Sequence, residues 1–228
     1  MKSKALQGVC VFDPDVATSL KDMIPGKAVP VIPDIPNVEV RESGLSKRIG
    51  ELARGRKIII LSGYLGKSKG VLEFVRAATR LKEEELFFVL IGNLSFGDFT
   101  DAEQAEISTW GQETENAFFF PSRIESEEAL NGILKVANVT CAVYQAWPFS
   151  SNAIAKAAYF ENHILVAKGR FMERRVKELE IGVSVEEKDI NAIAEKIVHL
   201  AGQPIDSEKY EKARRILSKE EFTRAVGL

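Results

Sequence analysis

The chain has 228 residues, which is enough for one large domain or for one domain and part of a second. Its apolar share of 45% and charged share of 28% are those of a folded globular protein rather than a disordered one. The formal net charge of -2 excludes a strong overall field that would attract the protein to nucleic acid or to an anionic membrane. The N-terminal residues lack the apolar core of a signal peptide, and no apolar run is long enough to cross a bilayer. We therefore expect a cytoplasmic protein with neither nucleic-acid nor membrane partners.

The few cysteines and histidines argue against a metal centre. Cys10 and Cys141 lie far apart in apolar stretches, which is typical of buried structural thiols in a reducing compartment. His163 opens an apolar segment and His199 falls in a helical one, and neither has a neighbour at the spacing of a zinc site. We expect no bound metal, and no Ser-His-Asp or Cys-His arrangement can be assembled.

The first 56 residues contain too few elements for a domain of their own. They predict a strand, a helix and a strand at residues 8–12, 13–21 and 28–32. Proline at every third position from 30 to 36 then marks an extended linker, and the charged segment at residues 39–56 predicts a short surface helix. We interpret residues 1–56 as the remnant of a preceding domain plus a proline-rich linker, which leaves open that the chain is a fragment of a longer protein.

From residue 57 onward, strands and helices alternate. Continuous apolar runs such as KIIILS predict strands that are buried on both faces of a sheet, and VLEFVRAATRL has helical periodicity. The six predicted strands cover residues 57–62, 86–92, 116–120, 139–145, 163–167 and 182–185. The predicted helices cover residues 71–81, 102–110, 125–136, 152–160, 170–179, 189–200 and 208–225. Such alternation requires right-handed crossovers, so residues 57–228 are predicted to form an α/β domain with a Rossmann-like, doubly wound, mostly parallel sheet.

The segment GYLGKSKG, residues 63–70, is the first candidate for ligand binding, because open α/β sheets bind ligands at the carboxyl ends of their strands. Its three glycines permit close approach of the backbone to a ligand, and Lys67 and Lys69 supply positive charge. It is neither a Walker A loop nor a GxGxxG fingerprint. A phosphate site and a glycine-relaxed turn with solvated lysines both remain open.

The loop AWPFSSN is the second candidate. Ser150, Ser151 and Asn152 are good N-cap residues for the following helix, and their hydroxyl and amide groups are also suited to hold a sugar or a phosphate. Trp147 and Phe149 either stack on a ligand ring or pack against a neighbouring loop.

A local basic patch accompanies these loops. Its members are Lys67, Lys69, Arg170, Arg174 and Arg175. Solvated surface charge and ligand binding are equally compatible with this composition.

The order of the motifs carries more information than any one of them. VPVIPDIPN is similar to a linker v-x-v-i-P-N-G, LSGYLGKSKGVLEFVRAATRL to v-G-R-l-x-x-x-K-G-x-x-x-l-i-x-A, and FFVLIGN to l-x-i-v-G-x-G. ILKVANVTCAVYQ, AAYFENHILVA and IGVSVEEKDINAIAEKI continue the series in the expected order. From about residue 29 to its end, the chain therefore resembles the C-terminal half of GT-B glycosyltransferases of the large retaining family 4 type.

The resemblance implies a donor-binding domain, since in such enzymes the C-terminal half binds a nucleoside-diphosphate sugar and the N-terminal half binds the acceptor. It implies that Gly63, Lys69 and Gly70 lie against the donor diphosphate, with the Lys69 ammonium opposite the phosphate charge. Tyr64 stands where the family has an arginine, so one phosphate-binding cation is missing. Ser150, Ser151 and Asn152, at a helix N-terminus, are the next candidates.

The E-x7-E pair that would orient the donor sugar and hold the ribose is also missing. The second glutamate falls at Ala157, beside Lys156, and the first falls at residues 145–149, which contain no acid. A carboxylate would hold the ribose diol by hydrogen bonds of roughly 1.5–3 kcal/mol, which alanine does not offer. Lys156 is able to meet a phosphate instead.

Two functions follow from the resemblance. The first is a glycosyltransferase, or its donor-binding domain, that moves a sugar from a nucleoside-diphosphate sugar to an unknown acceptor without a metal or other cofactor. It would require an N-terminal acceptor domain or a partner subunit. The alternative is a non-catalytic GT-B-like domain that binds a nucleotide or sugar, or serves as a partner subunit. A sugar-nucleotide epimerase of related architecture is a third hypothesis, and the few histidines and acids at predicted strand ends count against it.

Overall fold

A six-stranded parallel sheet forms the centre of the computed structural model, which describes residues 7–227. The strands are β1 (Lys57–Leu65), β2 (Leu86–Leu94), β3 (Ala117–Phe120), β4 (Val139–Ala142), β5 (His163–Ala167) and β6 (Gly182–Val185). Their order is β3-β2-β1-β4-β5-β6, and all neighbours are parallel. The chain runs from β1 outward to β3 and returns to β4 on the other side of β1. The predicted Rossmann-like α/β fold is confirmed, with the switch in strand order between β1 and β4.

Helices connect the strands and flank the sheet. They are α1 (Pro14–Met23), α2 (Gly44–Ala53), α3 (Val71–Arg80), α4 (Asp101–Glu113), α5 (Glu127–Leu134), α6 (Asn152–Phe160), α7 (Phe171–Leu179), α8 (Ile190–Ala201), α9 (Ser207–Ile216) and α10 (Lys219–Val226). The prediction of a single helix at residues 208–225 is wrong, because the helix is interrupted between α9 and α10. The Ser218 hydroxyl accepts a hydrogen bond from the Glu221 amide at 3.1 Å, which favours a new helix start at that point.

Both faces of the sheet are buried, which explains the uninterrupted apolar runs. In β1, Ile59 and Leu61 belong to the core on the side of α3, α4 and α8. Ile58 and Ile60 alternate with them and belong to the core on the side of α2 and α5. Each such side chain contributes roughly 1.5–3 kcal/mol of hydrophobic stabilisation, so both faces of the strand stabilise the sheet.

The segment before α2 is less regular than its sequence predicts. The strands expected at residues 8–12 and 28–32 are reduced to two isolated parallel bridges, Gly8 to Ala28 and Val11 to Val31, on either side of α1. Cys10 lies between the bridged positions and is exposed, so the prediction of a buried thiol is wrong there; the two bridges build no layer that would cover it. Cys141 is buried in β4 as expected, and burial raises the pKa of its thiol to about 12.

The extended segment at residues 37–41, which continues the proline-rich linker, is fixed to α5 by hydrogen bonds. The fully buried Asn131 side chain donates to the carbonyl oxygens of Asn37 at 3.0 Å and Glu39 at 2.8 Å. The Arg41 amide donates to the Glu128 carbonyl at 3.0 Å. These bonds satisfy backbone groups that an extended segment cannot satisfy by itself.

His163 has structural partners. Its Nδ1 lies 3.1 Å from the Tyr210 hydroxyl and its Nε2 lies 3.3 Å from the Gln203 carbonyl oxygen, and burial lowers the pKa of the imidazole. Over residues 7–227, no three His, Cys, Asp or Glu side chains are grouped so that they could hold a metal ion. Within the same residues, no helix combines the length and apolar character needed to cross a membrane.

Candidate functional site

A cleft of about 420 Å³ opens at the carboxyl ends of β1 and β2. The strand ends contribute Gly63 and Tyr64 from β1 and their parallel partners Gly92 and Asn93 from β2. The loop before α5 and the first turns of that helix form the opposite wall, at residues 123–127 and 130, and Lys156 reaches in from α6. Because β1 borders the switch in strand order, the cleft lies where doubly wound sheets bind their ligands.

Two glycines form the floor of the cleft. Gly63 and Gly92 are paired across β1 and β2 and have φ values of 108° and 143°. A Cβ atom on Gly92 would lie 1.9 Å from the Gly63 carbonyl oxygen, so a side chain is incompatible with this packing. Gly63 and Tyr64 were predicted to begin a loop, and they instead belong to the strand, which ends at Leu65.

The wall facing the strands contains an ion pair. The Lys156 ammonium lies 2.8 Å from Glu127 Oε1, and the side-chain exposures are 9% for the lysine and 44% for the glutamate. Ser126 caps α5 by accepting a hydrogen bond from the Ala129 amide at 3.3 Å. Ala157, where the resemblance places a glutamate, is fully buried, so Lys156 is the residue of this turn that lines the cleft.

Lys69 lies in the short 3-10 turn Lys67–Lys69 that follows β1, beside the cleft rather than in its lining. Its ammonium nitrogen is 3.7 Å from the centre of the Tyr144 ring and 4.8 Å from that of Trp147. Both distances are those of cation–π contacts, which stabilise the charge where burial lowers the pKa of Lys69. The indole of Trp147, considered above as a surface for a ligand ring, packs on Tyr144 and Lys69 in this structure.

The turn that carries Lys69 is fixed against the loop after β4. Gly70 has a φ of 72°, and a Cβ atom there would lie 2.3 Å from the Val143 carbonyl oxygen. The backbone amide of Gln145 donates to the Ser68 carbonyl oxygen at 2.8 Å. The backbone at Lys69 and Gly70 is therefore held in place without a ligand.

The residues of the second predicted loop have partners within the chain. The Ser151 side chain caps α6 by accepting from the Ala153 amide at 3.3 Å, and its hydroxyl also donates to the Tyr144 hydroxyl at 3.4 Å. The Ser150 hydroxyl donates to the Asp34 carboxylate of the linker at 3.3 Å, and burial raises the pKa of that carboxyl. Asn152 is the first residue of α6. The structure thus brings Gly63, Tyr64 and Lys156 together in the cleft and places Ser150 and Ser151 beside the linker.

Three members of the basic patch are neutralised by carboxylates. Lys67 pairs with Glu103 at 2.8 Å, Arg174 with Asp13 at 2.9 Å, and Arg175 with a glutamate on its own helix at 2.7 Å. These three charges do not form an open surface for an anion.

Sequence reasoning missed most of the residues that line the cleft, among them Gly92 and Glu127. Gly92 lies in FFVLIGN, and the glycine of the l-x-i-v-G-x-G pattern is the signal that could have identified it. No sequence motif identified Glu127, because its ion pair with Lys156 forms only when the fold brings α5 and α6 together.

The comparisons with known proteins agree with this architecture. The profile of the family described as "Glycosyl transferases group 1" matches residues 44–217. No curated protein sequence matches the chain. A solved sucrose-phosphate synthase from Thermosynechococcus elongatus aligns with a TM-score of 0.71 and 20% identity over 97% of this chain and 58% of its own.

Two further structures show the same fold. An alpha,alpha-trehalose-phosphate synthase (UDP-forming) from Burkholderia xenovorans, in complex with glucose-6-phosphate, aligns with a TM-score of 0.64 and 16% identity over 88% of this chain and 51% of its own. The C-terminal domain of a group 1 family glycosyl transferase from Francisella tularensis aligns with a TM-score of 0.56 and 19% identity over 82% of this chain and 94% of its own. The chain belongs to the group 1 glycosyl transferases, and it spans little more than half the length of the two synthases.

Proposed function

We propose that this chain is the donor-binding half of a glycosyltransferase of the retaining family 4 type, and that it binds a nucleoside-diphosphate sugar. The observation that carries the proposal is the glycine-floored cleft at the carboxyl ends of β1 and β2, beside the switch in strand order and next to the turn that holds Lys69. Glycines at 63 and 92 let a ligand approach the backbone closely. The names of the similar synthases, one of them UDP-forming, support a donor of this class.

In this proposal the diphosphate lies at the turn after β1, and the nucleoside extends toward the N-terminus of α5. The Lys69 ammonium would leave the Tyr144 and Trp147 rings and contact the phosphate oxygens, which exchanges cation–π contacts for charge-assisted hydrogen bonds. During transfer the bond between the anomeric carbon and the diphosphate oxygen breaks and its electron pair leaves with the diphosphate. The acceptor hydroxyl oxygen bonds to the anomeric carbon, and the departing diphosphate takes up the hydroxyl proton. The residues of this chain would stabilise that charge and position the donor, and we expect neither metal nor other cofactor to be needed.

The acceptor site is expected outside this chain. The parallel bridges on either side of α1 and the linker fixed to α5 are compatible with the prediction that residues 1–56 are the remnant of a preceding domain plus a linker. The acceptor site would then belong to an N-terminal domain of the same protein or to a partner subunit. A cytoplasmic location remains a prediction.

A non-catalytic, nucleotide-binding domain is the second candidate function. Tyr64 occupies the position of a phosphate-binding arginine, and it is 55% exposed at the mouth of the cleft. The position expected for a glutamate on α6 carries the buried Ala157. Fewer groups are thus available to stabilise a departing diphosphate, which favours binding without transfer.

A thermal-shift screen against UDP, GDP, ADP, CMP and their sugar conjugates tests donor binding. A ligand at about 100 times its dissociation constant adds about 2.7 kcal/mol to the free energy of unfolding, or about 5–10 °C for a chain of this size. We expect such a shift with one nucleoside diphosphate and its sugar conjugate. Release of that diphosphate from the conjugate would then separate the transferase from the non-catalytic domain. The absence of a shift with every compound would contradict donor binding by this chain.

A further inference from the structure

We infer that Glu127, the first residue of α5, accepts hydrogen bonds from the ribose hydroxyls of the bound nucleotide, and that Lys156 positions the Glu127 carboxylate. The inference rests on the proposed function. It assigns to α5 the carboxylate that the resemblance leads one to expect on α6.

The Lys156 side chain requires a negative partner. It is 91% buried within α6, and an ammonium group removed from water is costly unless it is paired. Its nitrogen lies 2.8 Å from Glu127 Oε1, an ion pair that joins α6 to the first residue of α5. The lysine therefore fixes the position of the carboxylate on the wall of the cleft.

After pairing with Lys156, the Glu127 carboxylate can still accept further hydrogen bonds. A carboxylate has about four lone-pair sites on two oxygens, and the bond to Lys156 uses Oε1. The side chain is 44% exposed and lines the cleft, so its free lone pairs are open to a ligand. A carboxylate repels phosphate and accepts hydrogen bonds from hydroxyl groups, which makes a sugar diol the suitable occupant.

The neighbouring acids are less suitable. Glu125 is 83% exposed and pairs with Arg41 at 2.9 Å. Glu128 accepts a hydrogen bond from the Asn37 side chain at 3.2 Å and lies outside the lining of the cleft. Glu127 is the carboxylate of this turn that combines a fixed position with a free face.

Calorimetric titration with a nucleoside diphosphate and its 2′,3′-dideoxy counterpart tests the assignment. UDP is the first probe, with GDP or ADP used if the screen favours it. The natural chain is expected to prefer the ribonucleotide by roughly 10- to 100-fold, the effect of losing a hydrogen bond to a charged group. In Glu127→Gln this preference should fall to about threefold or less, since an amide forms only neutral hydrogen bonds. Lys156→Gln should also reduce it, because the carboxylate loses its fixed position.

Glu128→Gln is the matched control and should keep the full preference, since it alters the same helix turn outside the cleft. A Glu127→Gln variant that binds both nucleotides more weakly by the same factor, or keeps the natural preference, would overturn the inference while leaving the proposed function intact. Failure of every ribonucleoside diphosphate to bind the natural chain would instead contradict the proposed function, and the inference with it.

Discussion

Gly92→Ala is expected to lower the free energy of unfolding by about 2–5 kcal/mol, because it combines backbone strain with a collision. The residue has a φ of 143°, which L-residues rarely adopt, and its Cβ atom would lie 1.9 Å from the Gly63 carbonyl oxygen and 2.9 Å from the Gly63 nitrogen. Relief would require β1 and β2 to separate at the floor of the cleft. Thermal and urea denaturation should show a fall in Tm of about 10 °C.

Gly169→Ala is the control for this prediction. Gly169 also has a positive φ, 82°, but no atom lies within 4 Å of the Cβ position, so only the conformational strain of about 1–2 kcal/mol is expected. If Gly92→Ala were no more destabilising than Gly169→Ala, the close contact between the two strands at the cleft floor would be refuted.

Lys69→Ala is expected to weaken nucleoside-diphosphate binding by roughly 10- to 100-fold, the loss of a hydrogen-bonded charge partner for the phosphates. The ammonium of Lys69 is partly buried against the Tyr144 and Trp147 rings. If ligand binding draws it away from Trp147, the natural chain should change its tryptophan fluorescence on titration, and Lys69→Ala should lose most of that change.

Lys67→Ala tests whether any lysine in this turn would have the same effect. Lys67 lies two residues earlier and is paired with Glu103 at 2.8 Å, so its removal should change the affinity by less than about threefold. Equal losses in the two variants would indicate a general effect of net charge and would contradict the specific role of Lys69.

The fold could be predicted from the sequence where each segment carried its own signal. Alternation of apolar runs with helical periods predicted the six strands, because strands such as β1 are buried on both faces. The sequence-based prediction failed at the ends of some strands and helices. β1 continues through Gly63 and Tyr64, since pairing with β2 outweighs the local preference of glycine for a turn, and Ser218 divides a segment whose periodicity is continuous.

The site was less predictable, because its geometry depends on contacts between distant segments. The glycine motif located one side of the cleft, at Gly63, from local sequence alone. The partnership of Lys156 with Glu127, and that of Lys69 with the rings after β4, exist only once the sheet has set the positions of these elements. Ser150 could not be assigned to the linker from its own neighbourhood, since Asp34 is remote in the chain.

The most direct test of donor binding is a crystal structure of the chain with the nucleoside diphosphate that gives the largest thermal shift. The account predicts the nucleoside in the cleft between the strand ends and α5, the ribose hydroxyls on Glu127, and the diphosphate at the turn that carries Lys69. A nucleotide bound elsewhere on the sheet edge, with the Gly63–Gly92 floor uncovered, would contradict the account.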